Sequence, residues 1–378
     1  MKKRLNRIFL FTGIFLGVIL IFYLKPALEP IKIEERDFSS TQQENKKTSW
    51  KYQELKAAGF STYIGASVKK LTDEFGEPVT IQESGFGYEV YKFQDVNGQL
   101  QFEANVENNK VETIKVLKSP DESVTPFTLG MTMQELTRYT TIFPNFSFDY
   151  NGKNISIELT EEDMNYRPLI AFDNGTFAIL FFDQTKGNLF SIVYLDEKSL
   201  LTLLPYQVDG TDLPTYEMDQ SADWKTINQQ KIQNSILLLN QLREFDQLST
   251  YQANGTLQTT TDKILTNFLV DPKSIVSKER STILQKAFEE KGANATFTLN
   301  HDEMNQLFAK NNLEIGNGIF YHPVIDPMFT MFYLYSDPYY HVRFMHEGPE
   351  EVGISFSQEN MLILLEEYHA PEESSESN

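Results

Sequence analysis

Residues 63–78 read Y-I-G-A-S-V-K-K-L-T-D-E-F-G-E-P, and residues 128–144 answer with T-L-G-M-T-M-Q-E-L-T-R-Y-T-T-I-F-P. Each stretch sets a glycine two residues before a Ser or Thr (Gly65 and Ser67, Gly130 and Thr132), opens a short helix and stops it near a proline. Self-similarity of this kind marks a duplicated structural unit. In the first copy Ser67 stands where an N-cap belongs, and Val68, Leu71 and Phe75 recur at helical spacing. In the second, Thr132 and Glu135 have capping-box spacing ahead of Leu136.

Alternating segments follow each helix. In the first copy they fall at 88–94, 99–106 and 110–117, with Asn97-Gly98 and Asn108-Asn109 as turns. Leu100, Phe102, Ala104 and Val106 alternate, as a sheet with one buried face requires. In the second copy the segments fall near 155–159, 169–172, 176–182 and 189–195, and Asn174-Gly175 stands in for Asn97-Gly98. Repeat two is about a dozen residues longer, which predicts an acidic loop around 161–166. The repeats, about 63–118 and 126–196, therefore read as two helix-plus-antiparallel-meander units within a domain at 60–200.

Outward from this domain the chain changes character. Lys2, Lys3, Arg4 and Arg7 precede an uncharged run at 8–24. At roughly 1.5 Å per residue that run reaches about 25 Å, the short end of a membrane span. The following F-Y-L-K-P lacks the small residues of a cleavage site, so 1–24 reads as an uncleaved single-pass transmembrane anchor. The basic flank keeps the N-terminus cytoplasmic and sends the rest outside. Residues 25–59 read as a stalk, with a lead-in helix at 50–58, and 370–378 as a disordered acidic tail.

With 53 Asp+Glu against 33 Lys+Arg the net charge is −20, and four of the basic residues precede the span. A surface this acidic repels phosphate backbones, which excludes nucleic acid as a partner. There is no cysteine, so an exported chain of this kind relies on no disulfide.

After a linker at 201–225 rich in Asp, Pro and Gly, a helix is predicted over 226–245 with Ile232, Ile236, Leu239 and Leu242 inward. Further helices are expected at 278–291 and 302–310, and strands at 353–356 and 361–368. Helices first and strands last predict an α/β sandwich over 226–369.

The Y-I-G-x-S-x-x-x-L-x-x-x-F-G-x-P signature, followed by F-G-Y-E-V-Y-K-F, V-E-N-N-K-V-E-T-I and P-F-T-L-G-M-T-M-Q-E-L, resembles the CAP-associated N-terminal domain of Gram-positive exported proteins. In that family the domain usually precedes a CAP domain (the cysteine-rich secretory, antigen 5 and pathogenesis-related superfamily), an α-β-α sandwich. Leu239-Asn240-Gln241-Leu242-Arg243 resembles the V-N-x-x-R of its first helix. The run Asp337-Pro338-Tyr339-Tyr340-His341-Val342-Arg343 resembles its S-P-x-H-R segment. The resemblance implies a cleft where two His and acidic residues bind a divalent metal. Here Leu299 falls at the first His, Tyr340 at the second, and G-E-N has become Gly316-Asn317-Gly318 or Ile315-Gly316-Asn317. That implies a degenerate CAP domain.

Other chemistry is thinly signalled. No catalytic residue is assigned: G-x-S-x-G and H-E-x-x-H are absent from the sequence. His322, His341, His346 and Glu347 are the weak candidates for a metal site, since imidazole and carboxylate suit Zn²⁺. The simpler expectation is hydrogen-bonded histidines in loops around Pro323 and Pro338, with no cofactor. Aromatic residues are dense from Phe320 to Phe344, and Tyr339, Tyr340, His341 and His322 are the expected ligand contacts, the two tyrosines in a loop. The sequence therefore predicts an α+β, membrane-anchored extracytoplasmic protein of the cell envelope that binds an envelope protein, glycan or apolar ligand without catalysis. The alternative is a metal-dependent hydrolase or an apolar-ligand carrier using the CAP-like cleft.

Overall fold

Both repeat glycines adopt positive φ, +78° at Gly65 and +89° at Gly130, a backbone state open to glycine at little strain. The turn aims each amide at the last strand of its own copy. Gly65 N–H donates to Val111 O and Gly130 N–H to Leu189 O, both at 2.7 Å. Val111 and Leu189 return the bond to Ala66 O and Met131 O. Ser67 caps its helix by accepting from Lys69 N–H, and Thr132 and Glu135 close the capping box. The duplicated signature is thus a device that pins a helix start to a sheet.

The computed structural model describes residues 52–118, 121–203, 205–291, 296–313, 317–345 and 350–367. The first copy runs β1 (Glu54–Leu55), a 3-10 turn (Gly59–Thr62), α1 (Val68–Phe75), β2 (Thr80–Glu83), β3 (Glu89–Gln94), β4 (Leu100–Glu107) and β5 (Lys110–Val116). A short α2 (Asp121–Val124) leads into the second: α3 (Met133–Leu136), β6 (Asn145–Tyr150), β7 (Lys153–Glu158), α4 (Glu161–Tyr166), β8 (Leu169–Phe172), β9 (Phe177–Phe182) and β10 (Leu189–Leu195). One eight-stranded sheet holds both, in the order β1-β8-β9-β10-β5-β4-β3-β2. The antiparallel β5–β10 pair joins the copies at its centre. The extra length of repeat two is the β6–β7 hairpin and α4.

The chain continues through α5 (Glu197–Leu203), β11 (Gln207–Asp209), α6 (Trp224–Phe245), β12 (Gln252–Ala253), α7 (Gly255–Val270), α8 (Lys278–Glu289), β13 (Phe297–Thr298), α9 (His301–Lys310), β14 (Asn317–His322), α10 (Pro327–Ser336), α11 (Pro338–Phe344), β15 (Glu350–Ser357) and β16 (Asn360–Glu367). A five-stranded sheet, β12-β15-β16-β14-β13, forms the middle of an α-β-α sandwich. Phe320, Leu362 and Leu364 pack on α7 and α9 through Phe268, Leu307 and Phe308. Ile319, Ile354 and Ile363 point the other way, into a cluster with Leu239 and Leu242 of α6 and Phe332 of α10.

Several expectations are corrected. From Tyr52 the lead-in segment is extended, not helical, because the edge of β8 offers it backbone partners: Glu54 and Leu55 pair parallel with Ala171 and Phe172. The acidic stretch at 161–166 is a helix, since Thr160 and Asp163 form a capping box and Asp163 then holds Arg167 at 2.9 Å. Tyr339 and Tyr340 lie in a helix rather than a loop. Pro338 fits the first turn of α11, and Asp337 accepts from both tyrosine amides. Strand β14 and helices α7 and α10 were not legible in the pattern. No helix among the described residues is long and apolar enough to cross a membrane, and the expected span at 8–24 lies outside them.

The eight-stranded sheet has two unlike faces. One is covered by its own helices, with Phe102, Ile114, Leu180 and Tyr194 among the residues buried there. The other meets the C-terminal half. From repeat two it contributes Leu169, Phe177, Ile179, Phe181, Val193 and Leu195 to the cluster shared with α6, α10 and the second sheet. Burying such side chains contributes about 1.5–3 kcal/mol each, so the two halves are welded by an apolar core. The same row of the sheet continues into repeat one as Lys115, Glu103 and Lys92.

Candidate functional site

The residues singled out by sequence have internal partners. His322 is fully buried at the end of β14, with Nδ1 3.0 Å from Asn360 Oδ1 and Nε2 3.2 Å from Ala287 O. Burial pushes its pKa below the usual histidine value, against the effect of both bonds. His341, 4% exposed on α11, faces the Tyr335 carbonyl at 2.8 Å and the Thr185 hydroxyl at 3.1 Å. His341 and His322 thus have separate sets of partners; His346 and Glu347 lie outside the described residues. Tyr339 is 49% exposed and carries Arg343 over its ring, 4.2 Å from the centroid.

Tyr340 turns inward and hydrogen-bonds the Thr298 side chain of β13, its phenol raised above the usual tyrosine pKa chiefly by burial. Leu299 beside it is buried in the apolar cluster under α9. Neither Leu299, Asn317 nor Tyr340 offers the imidazole or carboxylate that Zn²⁺ takes from protein. These residues therefore do not fit Zn²⁺ at the positions where the CAP resemblance places a metal. Near Tyr340, a cavity of ≈ 140 Å³ is lined by Thr296, Tyr321, Phe329 and Tyr333.

Sequence reasoning missed a larger constellation between repeat one and α6. Lys115 Nζ, 1% exposed, is 2.6 Å from Asp326 Oδ2, 2.9 Å from Asn105 Oδ1 and 3.4 Å from Glu103 Oε2. Lys92 lies 3.3 Å from the other Glu103 oxygen, and burial holds its pKa below the usual lysine value although Glu103 opposes this. These charges line one side of a ≈ 240 Å³ cavity; the other side is α6, through Gln230, Lys231, Asn234 and Ser235. A second cavity of ≈ 280 Å³ shares Tyr88 and Asp326 with the first. There Glu112 is pushed up to about 8 by burial and then by the Glu107 carboxyl beside it, so the pair retains a proton near neutrality.

Lys231 is the centre of the first cavity's α6 wall. Its ammonium donates to Gln358 O at 3.0 Å and sits 4.6 Å from the Phe86 ring centre and 5.4 Å from that of Trp224. Burial lowers it to about 7, opposed by the charges of Glu359 and Asp326. Six buried side-chain polar atoms in the described residues lack a hydrogen-bond partner. Five gather here. Asn228 and Ser235 lie one turn either side of Lys231, Glu359 acts on Lys231 and Tyr216 electrostatically, and Tyr216 and Thr113 line the second cavity. Buried polar groups are ordinarily paired, so a concentration of unpaired ones marks a place built for water or a ligand. Only once the strand register is known do Lys92, Glu103 and Lys115 reveal themselves as one inward row.

Residues 64–206 match the family model described as CAP-associated N-terminal. A curated relative, the uncharacterized membrane protein YlbC of Bacillus subtilis, is 27% identical over 154 residues, covering 41% of this chain and 44% of the relative. The chain thus matches less than half the length of that relative. Two solved structures share the fold. An extracellular protein containing an SCP domain from Bacillus anthracis aligns at TM-score 0.61 with 16% identity, over 85% of this chain and 99% of that one. A cysteine-rich secretory protein from Staphylococcus aureus aligns at TM-score 0.59 with 19% identity, over 83% and 95%.

Proposed function

Because residues 64–206 carry a CAP-associated N-terminal domain ahead of a CAP-like sandwich, we propose that this protein is a membrane-anchored binding protein of the cell envelope that works without catalysis. The observation that carries the reading is Tyr340. Where the CAP resemblance places a histidine ligand, a tyrosine hydrogen-bonds Thr298, and its neighbour Leu299 is apolar. The membrane protein from Bacillus subtilis supports the anchored topology, with residues 8–24 as the span and the described residues outside. The binding site in this reading is the pair of cavities between repeat one and the C-terminal half. Amide groups, a buried ion network and unpaired hydroxyls there suit a polar ligand rich in hydrogen-bonding groups more than an apolar one.

Two measurements test this. Full-length protein in detergent is expected to leave peptide, ester and glycan substrates intact; turnover that disappears in Tyr340→Phe or His341→Gln overturns the non-catalytic reading. Photo-crosslinking residues placed at Gln230 in the cavity wall and at exposed Val270 on α7 are expected to yield a ligand adduct in cells at Gln230 alone. Equal adducts at both positions, or none at Gln230, remove the cavity from the proposal.

A further inference from the structure

We propose that the chain binds one divalent first-row transition ion between Asp183, Asp246 and His341, on the side of the molecule where repeat two meets the C-terminal half. These residues come from the β9–β10 turn, the C-cap of α6 and α11, and one ligand atom from each lies within 4.8 Å of the others. Nothing in the linear sequence brings them together.

His341 is oriented as a ligand by its second nitrogen. Nδ1 lies 2.8 Å from the Tyr335 carbonyl, which only accepts, so Nδ1 carries the proton and Nε2 presents its lone pair. Nε2 meets the Thr185 hydroxyl at 3.1 Å, a rotatable group that an ion displaces readily. Asp183 Oδ1 accepts the Thr185 and Lys186 backbone amides, but on their other oxygens the two carboxylates compete for one donor. Tyr335 OH lies 2.7 Å from Asp183 Oδ2 and 2.5 Å from Asp246 Oδ2, yet a phenol has one proton. It serves one carboxylate and leaves the other facing an oxygen. Lys186, whose ammonium lies 2.6 Å from Asp246 Oδ1 and 2.9 Å from the Phe245 carbonyl, is the cation paired with this cluster among the described residues, and its side chain is 40% exposed. A dication balances both carboxylates at once.

Two carboxylate oxygens and one imidazole nitrogen form a mixed donor set that suits Zn²⁺ or Mn²⁺ better than Ca²⁺ or Mg²⁺, which favour oxygen alone. Access is built in: a cleft of ≈ 370 Å³ is lined by Asp183, Asp246 and Tyr335 together with Gly130 of the repeat signature, leaving room for waters to complete the coordination. The site shares no residue with the cavity around Lys231, and Asp183 and Asp246 lie outside the CAP-like segments, so Asp246→Asn separates its failure from theirs.

The test is equilibrium dialysis of metal-stripped full-length protein against Zn²⁺ or Mn²⁺ alone, followed by elemental analysis. One ion per chain is expected, with affinity reduced about 10-fold or more in His341→Gln and in Asp246→Asn. Since a weakened fold would mimic this, pulsed EPR of the Mn²⁺-loaded protein supplies a second reading: coupling to one imidazole nitrogen, absent from His341→Gln. No stoichiometric ion in the parent protein overturns the proposal. So does binding that folded His341→Gln leaves unchanged with its nitrogen coupling intact.

Discussion

The two repeats share a backbone plan and differ in what they present to the C-terminal half. One cross-strand row runs Lys92, Glu103, Lys115, Val193, Ile179, Leu169. Its first three members belong to repeat one and its last three to repeat two. The change from ions to hydrocarbon falls at the β5–β10 junction, where Lys115 pairs with Val193. Repeat two is apolar on this face and is buried against α6 and α10. Repeat one is charged there, and its ion network lines a cavity. Duplication here separates two tasks: one copy fixes the halves together, and the other holds open a polar space between them.

The sharpest way to break the comparison is to put repeat one's chemistry into repeat two. Val193→Asp places a carboxylate, fully buried, among Ile179, Val352 and other apolar side chains of the shared core. The expected loss exceeds about 4 kcal/mol, the range reserved for buried unpaired charge, and denaturant unfolding of the purified protein measures it. A loss below about 1 kcal/mol would mean that the core is not closed there.

Next comes the reverse experiment in repeat one. Asp326→Asn preserves the side-chain oxygen that caps α10 at Phe329 N–H but deprives Lys115 of its 2.6 Å partner. Removing one partner of a buried pair costs about 3–5 kcal/mol. Adding Lys115→Met should recover most of it, because Glu103 still has Lys92 at 3.3 Å. If the two losses simply add, the row is not an interacting network.

Much of the repeat architecture was legible because its determinants are local. Positive-φ glycines, caps and Asn-Gly turns act within a few residues, and alternation along 100–106 reports its own buried face. The acidic stretch at 161–166 has the composition of a solvated loop, and the Thr160–Asp163 capping box that makes it a helix is a weaker signal than its charge run. Helix α7 hid behind three consecutive threonines, Thr259, Thr260 and Thr261, whose β-branching favours strands; its Asn254 cap and the buried Leu257, Ile264, Leu265 and Phe268 override that preference. The site was least legible. His341 stands out in the sequence as one of five histidines, but Asp183 and Asp246, which the fold brings beside it, are more than ninety positions away. Lys231 sits in a helix where polar residues usually face solvent, and only tertiary packing puts Phe86 and Trp224 around it.

Lys231 also provides the gentlest perturbation of repeat one's polar space. Its pKa is lowered to about 7 from an ordinary 10.5, with burial the leading cause. Between those values the folded chain holds fewer protons than the unfolded one, so this group's contribution makes stability rise with pH. At pH 6 the buried ammonium is charged in both states and burdens the fold; by pH 9 the folded state has shed the proton and most of the burden. Lys231→Met matches the length of the side chain and suits the aromatic surroundings. Its stability advantage over the parent is therefore expected to be largest at pH 6 and to shrink by about 2–3 kcal/mol by pH 9, read from denaturant midpoints at the two pH values. The same substitution should weaken adduct formation at Gln230, one position along the helix. A protein that gains stability while losing its ligand would show that repeat one keeps its charge for binding. An advantage constant with pH would instead mean that Glu359 and Asp326 hold the ammonium charged throughout.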